Sequence, residues 1–337
     1  MELRPLGGSG LAVTPLGLGT RGHRAGLRDT EPADAERAIY AAIDAGCGLI
    51  ECGPRWGESE RLVGAAVRDL RARDRVVVAT RLPAAGPRPP AAAAIVAAVD
   101  ASLRATRLEV LPLCWLDGWR DAWLDASPWP EVAGTMAAVV RAGKVLTWGL
   151  GIDDPAQAGR GVVEVDVTAV GVRWSLLDRA AAAVIAAAAT AGRAVIARAP
   201  LAEGALIGHL DPAARYRADD ERAAWAPGRV AALAPTLARL AALARTTPPG
   251  AAVTDAGRAI LDGLRRHPEV VHATVGELAV AAALAAPVTA AVIGVRRAAQ
   301  VATWWPRPPA PVPAAIAARL PDAVADATWP VGSDDAT

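Results

Sequence analysis

Glu51 ends the apolar run Gly48-Leu49-Ile50, and a Gly53-Pro54 turn separates it from Trp56 and from Glu58-Ser59-Glu60. A buried strand that ends in an acid, then a turn and a helix, is how a (β/α)8 barrel brings a reactive side chain to its rim. Such rims lie at the C-terminal ends of the strands. Glu51 could act there as an acid, as an electrostatic stabiliser or as half of a buried ion pair. Trp56 brings an indole N–H, which donates a hydrogen bond but does not titrate. Arg81 follows the apolar run Val76–Thr80, and Cys114 and Asp117 lie at the end of Val110–Leu116. Arginine stays charged at any working pH, so Glu51 and Arg81 read first as a two-pronged buried pair.

These positions require a repeating scaffold, and the chain supplies one. Residues 3–14 alternate around Gly7-Gly8-Ser9-Gly10, which predicts a β-hairpin. Leu16–Gly19 is a short buried strand. Thr30-Glu31-Pro32 then opens a helix that Gly46 closes. The alternation continues with strands at 49–51, 76–80, 110–116, 145–151, 165–172, 193–199 and 288–295. Helices are expected at 59–71, 90–106, 130–142, 155–161, 178–192, 275–286 and 297–305. Eight strands, each followed by helical material, predict a closed α/β barrel rather than an open sheet. The whole chain, 1–337, reads as one barrel. A Pro/Gly break at 246–250 opens an expected insertion over 246–273, with a helix at 259–266. Residues 306–337 form a Pro- and Ala-rich tail, anchored through Ile316 and Leu320.

Composition excludes several roles. With 337 residues and 53% hydrophobic content the chain can bury a large core. A net charge of +1 leaves no field for nucleic acid or an acidic membrane surface. The three cysteines, Cys47, Cys52 and Cys114, form no CxxC pair, which suits a reduced cytoplasmic setting. No apolar run reaches the ~20 residues that a bilayer requires. Gly17 to Gly22 spells GxGxxG, but no helix opens at once, so it is not read as a dinucleotide fingerprint. The four histidines have no ligand spacing, and no metal site is expected.

Five ordered segments resemble the aldo/keto reductases. They are Arg4–Thr20, Gly143-Lys144-Val145 with Trp148-Gly149, Trp174–Arg179, Pro200-Leu201-Ala202 with Gly204, and Ile293–Arg297 with Gln300-Val301. The resemblance implies an eight-stranded barrel and NADPH-dependent carbonyl reduction, with a tyrosine proton donor tuned by an aspartate, a lysine and a histidine. Those positions fall here on Trp56, Glu51, Arg81 and either Cys114 or Asp117. The carboxamide-holding residues of the family fall on Gly151-Ile152 and Gly171, and its ring-stacking aromatic falls on Arg198. The phosphate end is partly kept, at Leu201, Arg296, Arg297 and Gln300.

Three functions are compatible with this pattern. The first is a barrel that has lost reductase chemistry, with NADPH binding weak or absent, and that serves binding or assembly. The second is an enzyme of another class that uses Glu51, Arg81 and Asp117 in a Trp-lined pocket. The third is a divergent NADPH reductase with a different proton donor.

Overall fold

The computed structural model describes residues 1–23, 32–82, 86–207, 225, 228–245, 274–327 and 329. A two-stranded antiparallel hairpin, β1 (Arg4–Pro5) with β2 (Ala12–Val13), precedes the barrel. The barrel strands are β3 (Leu16–Gly19), β4 (Leu49–Glu51), β5 (Val77–Leu82) and β6 (Leu111–Leu116). They continue with β7 (Val145–Ile152), β8 (Ala169–Arg173), β9 (Ala194–Arg198) and β10 (Ala290–Gly294). All eight are parallel and pair in chain order, and β10 closes the ring onto β3. This is the expected (β/α)8 barrel.

The crossover helices are α1 (Pro32–Asp44), α2 (Ser59–Asp69), α3 (Ala92–Thr106), α4 (Trp129–Arg141), α5 (Gly159–Glu164) and α6 (Ala182–Thr190). After β9 come α7 (Arg229–Ala244) and α8 (Val275–Ala285). Beyond β10 lie α9 (Ala298–Trp304), α10 (Ala314–Ala317) and α11 (Leu320–Val324). The tail packs as expected: Ile316 and Leu320 are buried in a core shared with α7 and α8. The expected insertion at 246–273, with its helix at 259–266, lies outside the described residues.

Of the boundaries that differ from expectation, two do so for identifiable local reasons. The single helix expected at 155–161 is a 3-10 turn over Pro155–Gln157 followed by α5, with Ala158 between them at φ −131° and ψ 3°, off the helical conformation. Asp154 caps the first piece, its carboxylate accepting from the Ala156 N–H. The strand expected from Val165 begins at Ala169, because Val165 caps α5 instead.

Alternate residues of the strands face two different cores. Leu49, Val77, Ala79, Leu113, Trp115, Ala169, Ala194, Ile196, Ala290 and Val292 fill the barrel, with Leu6 and Val13 of the hairpin in the same cluster. Their neighbours, among them Ile50, Val78, Cys114, Leu150 and Val170, pack against the helices. The packing between α2 and α3 is close enough to demand a glycine. A Cβ at Gly64 would lie 1.9 Å from the Thr106 carbonyl oxygen, whereas one at Gly134 of α4 would meet nothing within 4 Å. The same substitution therefore has opposite effects at the two sites. In urea denaturation Gly64→Ala is expected to destabilise by about 1–3 kcal/mol. Gly134→Ala is expected to stabilise by up to about 1 kcal/mol.

Candidate functional site

Above the last apolar layer, the inward-facing positions change from apolar to charged. Glu51 stands two residues beyond Leu49, Arg81 beyond Ala79, Asp117 beyond Trp115, and Arg198 beyond Ile196. The strand period of two puts all four on the barrel axis at the C-terminal mouth. All four are buried: Glu51 is 4% exposed, Arg81 6%, Asp117 3% and Arg198 3%.

Charge pairing at the mouth differs from the sequence reading. The guanidinium fork joins Arg81 to Asp117: Nε and Nη2 both donate to the carboxylate, the second at 3.0 Å. Glu51 accepts from Nε of Arg198 at 3.1 Å. Nη2 of Arg198 stands 3.6 Å from Asp117, which links the two pairs into one network. Arg198 also lies over the ring of Trp115, 5.0 Å from its centroid, and Arg81 lies over Trp56 at 5.3 Å.

Glycines on the neighbouring strands make this arrangement possible. A Cβ at Gly151 would lie 1.8 Å from Oδ1 of Asp117, and one at Gly171 would lie 2.6 Å from Nη2 of Arg198. At Gly149 it would lie 2.6 Å from the Trp115 ring. Gly149 and Gly151 belong to β7, and Gly171 pairs with Gly151 across the β7–β8 ladder. The bare backbone of these two strands is the surface on which Trp115, Asp117 and Arg198 rest.

Glu51, Trp56, Arg81 and Asp117 are thus brought together, and Cys114 is not. Cys114 faces the helices and is fully buried; loss of solvation raises its thiol above the ordinary value, as it does that of Cys52. Behind the same strands the Thr80 hydroxyl donates to Glu60. Arg198 is the mouth residue that no role was assigned to in the sequence. Its signal was the charge that ends the inward series Ala194, Ile196, Arg198.

One cavity of about 180 Å³ runs from this mouth to the end of β10. Glu51, Trp56, Arg81 and Arg198 line it at one end, and Arg296, Gln300 and Leu201 line it farther out. Arg297 is exposed and lies outside the lining. The Gln300 side chain accepts from the backbone N–H groups of Arg296 and Arg297 and so closes the turn into α9. Of the Trp-lined pocket that the sequence suggested, Trp56 is in the lining, whereas Trp119 stacks edge to face on Trp123 and on Trp129 elsewhere. The loop after β9 bounds the cavity in a costly conformation, with Ala199, Ala202 and Glu203 all at φ between 47° and 56°. Glu203 accepts from Arg173 at 2.9 Å and from Trp225, which ties that loop to the end of β8.

A sequence profile of the aldo/keto reductase family matches residues 15–304. The chain belongs to the aldo/keto reductase family. Among solved structures, it resembles an aldo-keto reductase, AKR11C1, from Bacillus halodurans in its holo form. That match has a TM-score of 0.70 and 19% identity, and covers 98% of both chains. It also resembles the glycerol dehydrogenase AKR11B4 from Gluconobacter oxydans, with a TM-score of 0.71, 20% identity, and 99% and 98% of the two chains covered. At this identity both show the shared barrel. No curated protein sequence matches the chain. Among the described residues no cluster could hold a metal ion, and no helix is long and apolar enough to cross a membrane.

Two consequences can be measured. Breaking a buried pair from one side leaves its partner charged and unpaired. Asp117→Ala is therefore expected to cost about 3–5 kcal/mol in urea denaturation. Asp117→Leu combined with Arg81→Met is expected to cost less than Asp117→Ala. The second consequence concerns His23, buried beside the cavity residues Arg21 and Gly22, with Nε2 hydrogen-bonded to the Val295 carbonyl oxygen. Burial lowers its pKa below the ordinary 6.5, and the charge of Arg296 acts in the same direction. The unfolded chain therefore binds the proton more readily. The stability due to neutral His23 is complete above pH 6.5 and is lost as pH falls below it. A melting-temperature decline beginning below pH 6.5, and reduced in His23→Gln, is the expected result.

Proposed function

We propose that this aldo/keto reductase barrel binds a small molecule at its mouth and does not carry out the NADPH-dependent carbonyl reduction of its family. The observation that carries this reading is the filling of space above Gly151 and Gly171 by Asp117 and Arg198. Through the family resemblance these are the positions that hold the nicotinamide carboxamide. Neither glycine offers a side-chain hydrogen bond, and the space such side chains would need is taken. The residues present therefore do not fit the nicotinamide half of the cofactor, although Leu201, Arg296 and Gln300 still line the outer end of the same cavity.

The proton donor supports the same reading. Trp56 occupies the tyrosine position, and an indole N–H cannot take part in general acid catalysis. Arg81 occupies the lysine position and is held in a fork by Asp117. A guanidinium does not lend its proton at working pH. What the four charged groups can do is fix a dry, oriented field at the base of a cavity, which serves recognition.

NADPH titration followed by tryptophan fluorescence tests this directly, since Trp56 lines the cavity. No saturable response is expected below about 1 mM, a binding energy weaker than about 4 kcal/mol. A micromolar dissociation constant with turnover of an aldehyde would overturn the proposal. A second test restores the family residues with Glu51→Asp, Trp56→Tyr, Arg81→Lys and Asp117→His together. This variant is expected to remain inactive with NADPH and 4-nitrobenzaldehyde, because residues 151 and 171 still lack the anchors. Activity in it would show that the weight given to those two glycines is misplaced.

A further inference from the structure

We propose that the inner end of the cavity is a carboxylate-binding site centred on Arg198. This rests on the functional reading above, because it needs the mouth to receive something other than a nicotinamide. Nε of Arg198 donates to Glu51, but Nη1 and Nη2 have no hydrogen-bond partner among the described residues. The 3.6 Å separation between Nη2 and Asp117 is an ion pair beyond hydrogen-bond reach. Unmet donors on a buried charged group carry a desolvation penalty that only an acceptor relieves. Two N–H groups side by side in one plane match the two oxygens of a carboxylate.

The surroundings define the rest of the ligand. One face of the guanidinium is covered by Trp115 and its edge rests on Gly171, so the acceptor arrives from the cavity that Arg198 lines. Both nitrogens are sealed from water, so a ligand reaches them by displacing part of the wall, in which Trp56 is the largest side chain. The other walls, Leu201, Ile207, Val292 and Ile293, are apolar. Among the described residues the lining carries four arginines, Arg21, Arg81, Arg198 and Arg296, against two carboxylates, Glu51 and Glu203, and Asp117 behind it neutralises Arg81, which leaves an excess of one positive charge. Glu51 and Asp117 lie close enough to Arg198 to penalise a doubly charged ligand more than a singly charged one. The volume of about 180 Å³ corresponds to roughly six water molecules. The ligand class is a compact monocarboxylate with an apolar or aromatic body.

Calorimetry and tryptophan fluorescence with benzoate, benzamide and inorganic phosphate test the site. Benzoate is expected to bind saturably and to change the fluorescence, and benzamide to bind at least about tenfold more weakly, since it lacks the charge. Arg198→Lys keeps the charge but loses the fork and is expected to weaken benzoate by about tenfold. If that variant does not fold, the ratio of benzoate to benzamide on the natural protein decides. Benzoate no tighter than benzamide, unchanged in Arg198→Lys, or weaker than phosphate would overturn the proposal. Failure of both NADPH and benzoate to bind overturns this inference alone. Micromolar NADPH binding with turnover and no benzoate binding overturns the functional reading as well.

Discussion

Two charged side chains fill the volume that side chains at residues 151 and 171 would need, and most of the mouth follows from that. Asp117 and Arg198 can project over β7 and β8 only because those strands carry glycine at the crossing points. Once there, each must be neutralised, since an isolated buried charge is far more costly than a paired one. Arg81 neutralises Asp117, and Glu51 neutralises Arg198. Trp115 supplies the floor beneath Arg198, and Gly149 gives its ring room. The four charges and three glycines form one coupled unit, in which no member can change without consequences for the others. Such an ensemble is a means of specifying geometry more than of adding stability, because well-packed apolar residues would hold the barrel closed as well.

The scaffold was legible in the sequence for a simple reason. Parallel strands buried on both faces give continuous apolar runs, and eight such runs separated by helical segments admit few arrangements. Glu51 and Arg81 were visible as charges ending two of those runs. The pairing was not visible. Glu51 on β4 and Arg198 on β9 are 147 residues apart and belong to strands that are not neighbours in the ring. Their contact runs across the barrel axis, where spacing along the chain carries no information. The choice between Cys114 and Asp117 was open because the family pattern can be laid on the Cys114-Trp115-Leu116-Asp117 segment from either end, and every residue of the run Val110–Leu116 is hydrophobic or proline. Only the inward parity of Leu113 and Trp115 selects Asp117, and that parity comes from the closed barrel.

Arg198 stands at the mouth where the family resemblance places an aromatic. Read as a residue, it is a permanent charge ending a buried strand, and such a charge requires an acceptor. Among the described residues one hydrogen-bonded acceptor, Glu51, meets a group with three nitrogens.

The position of the charge also bears on what kind of function the barrel can have. Reductase chemistry needs a proton donor whose affinity for the proton changes in the transition state. A mouth built from two arginines and a tryptophan holds its donors fixed instead. Arginine remains charged and the indole keeps its N–H throughout the working pH range. Selectivity in such a mouth comes from the shape and direction of the donors, and a ligand is chosen by how well its acceptors meet them. The fold is shared across the family, and function is set by the residues at its rim. Here the inward-facing residues at the strand ends pack as one layer, from the floor at Trp115 to the guanidinium of Arg198 above it.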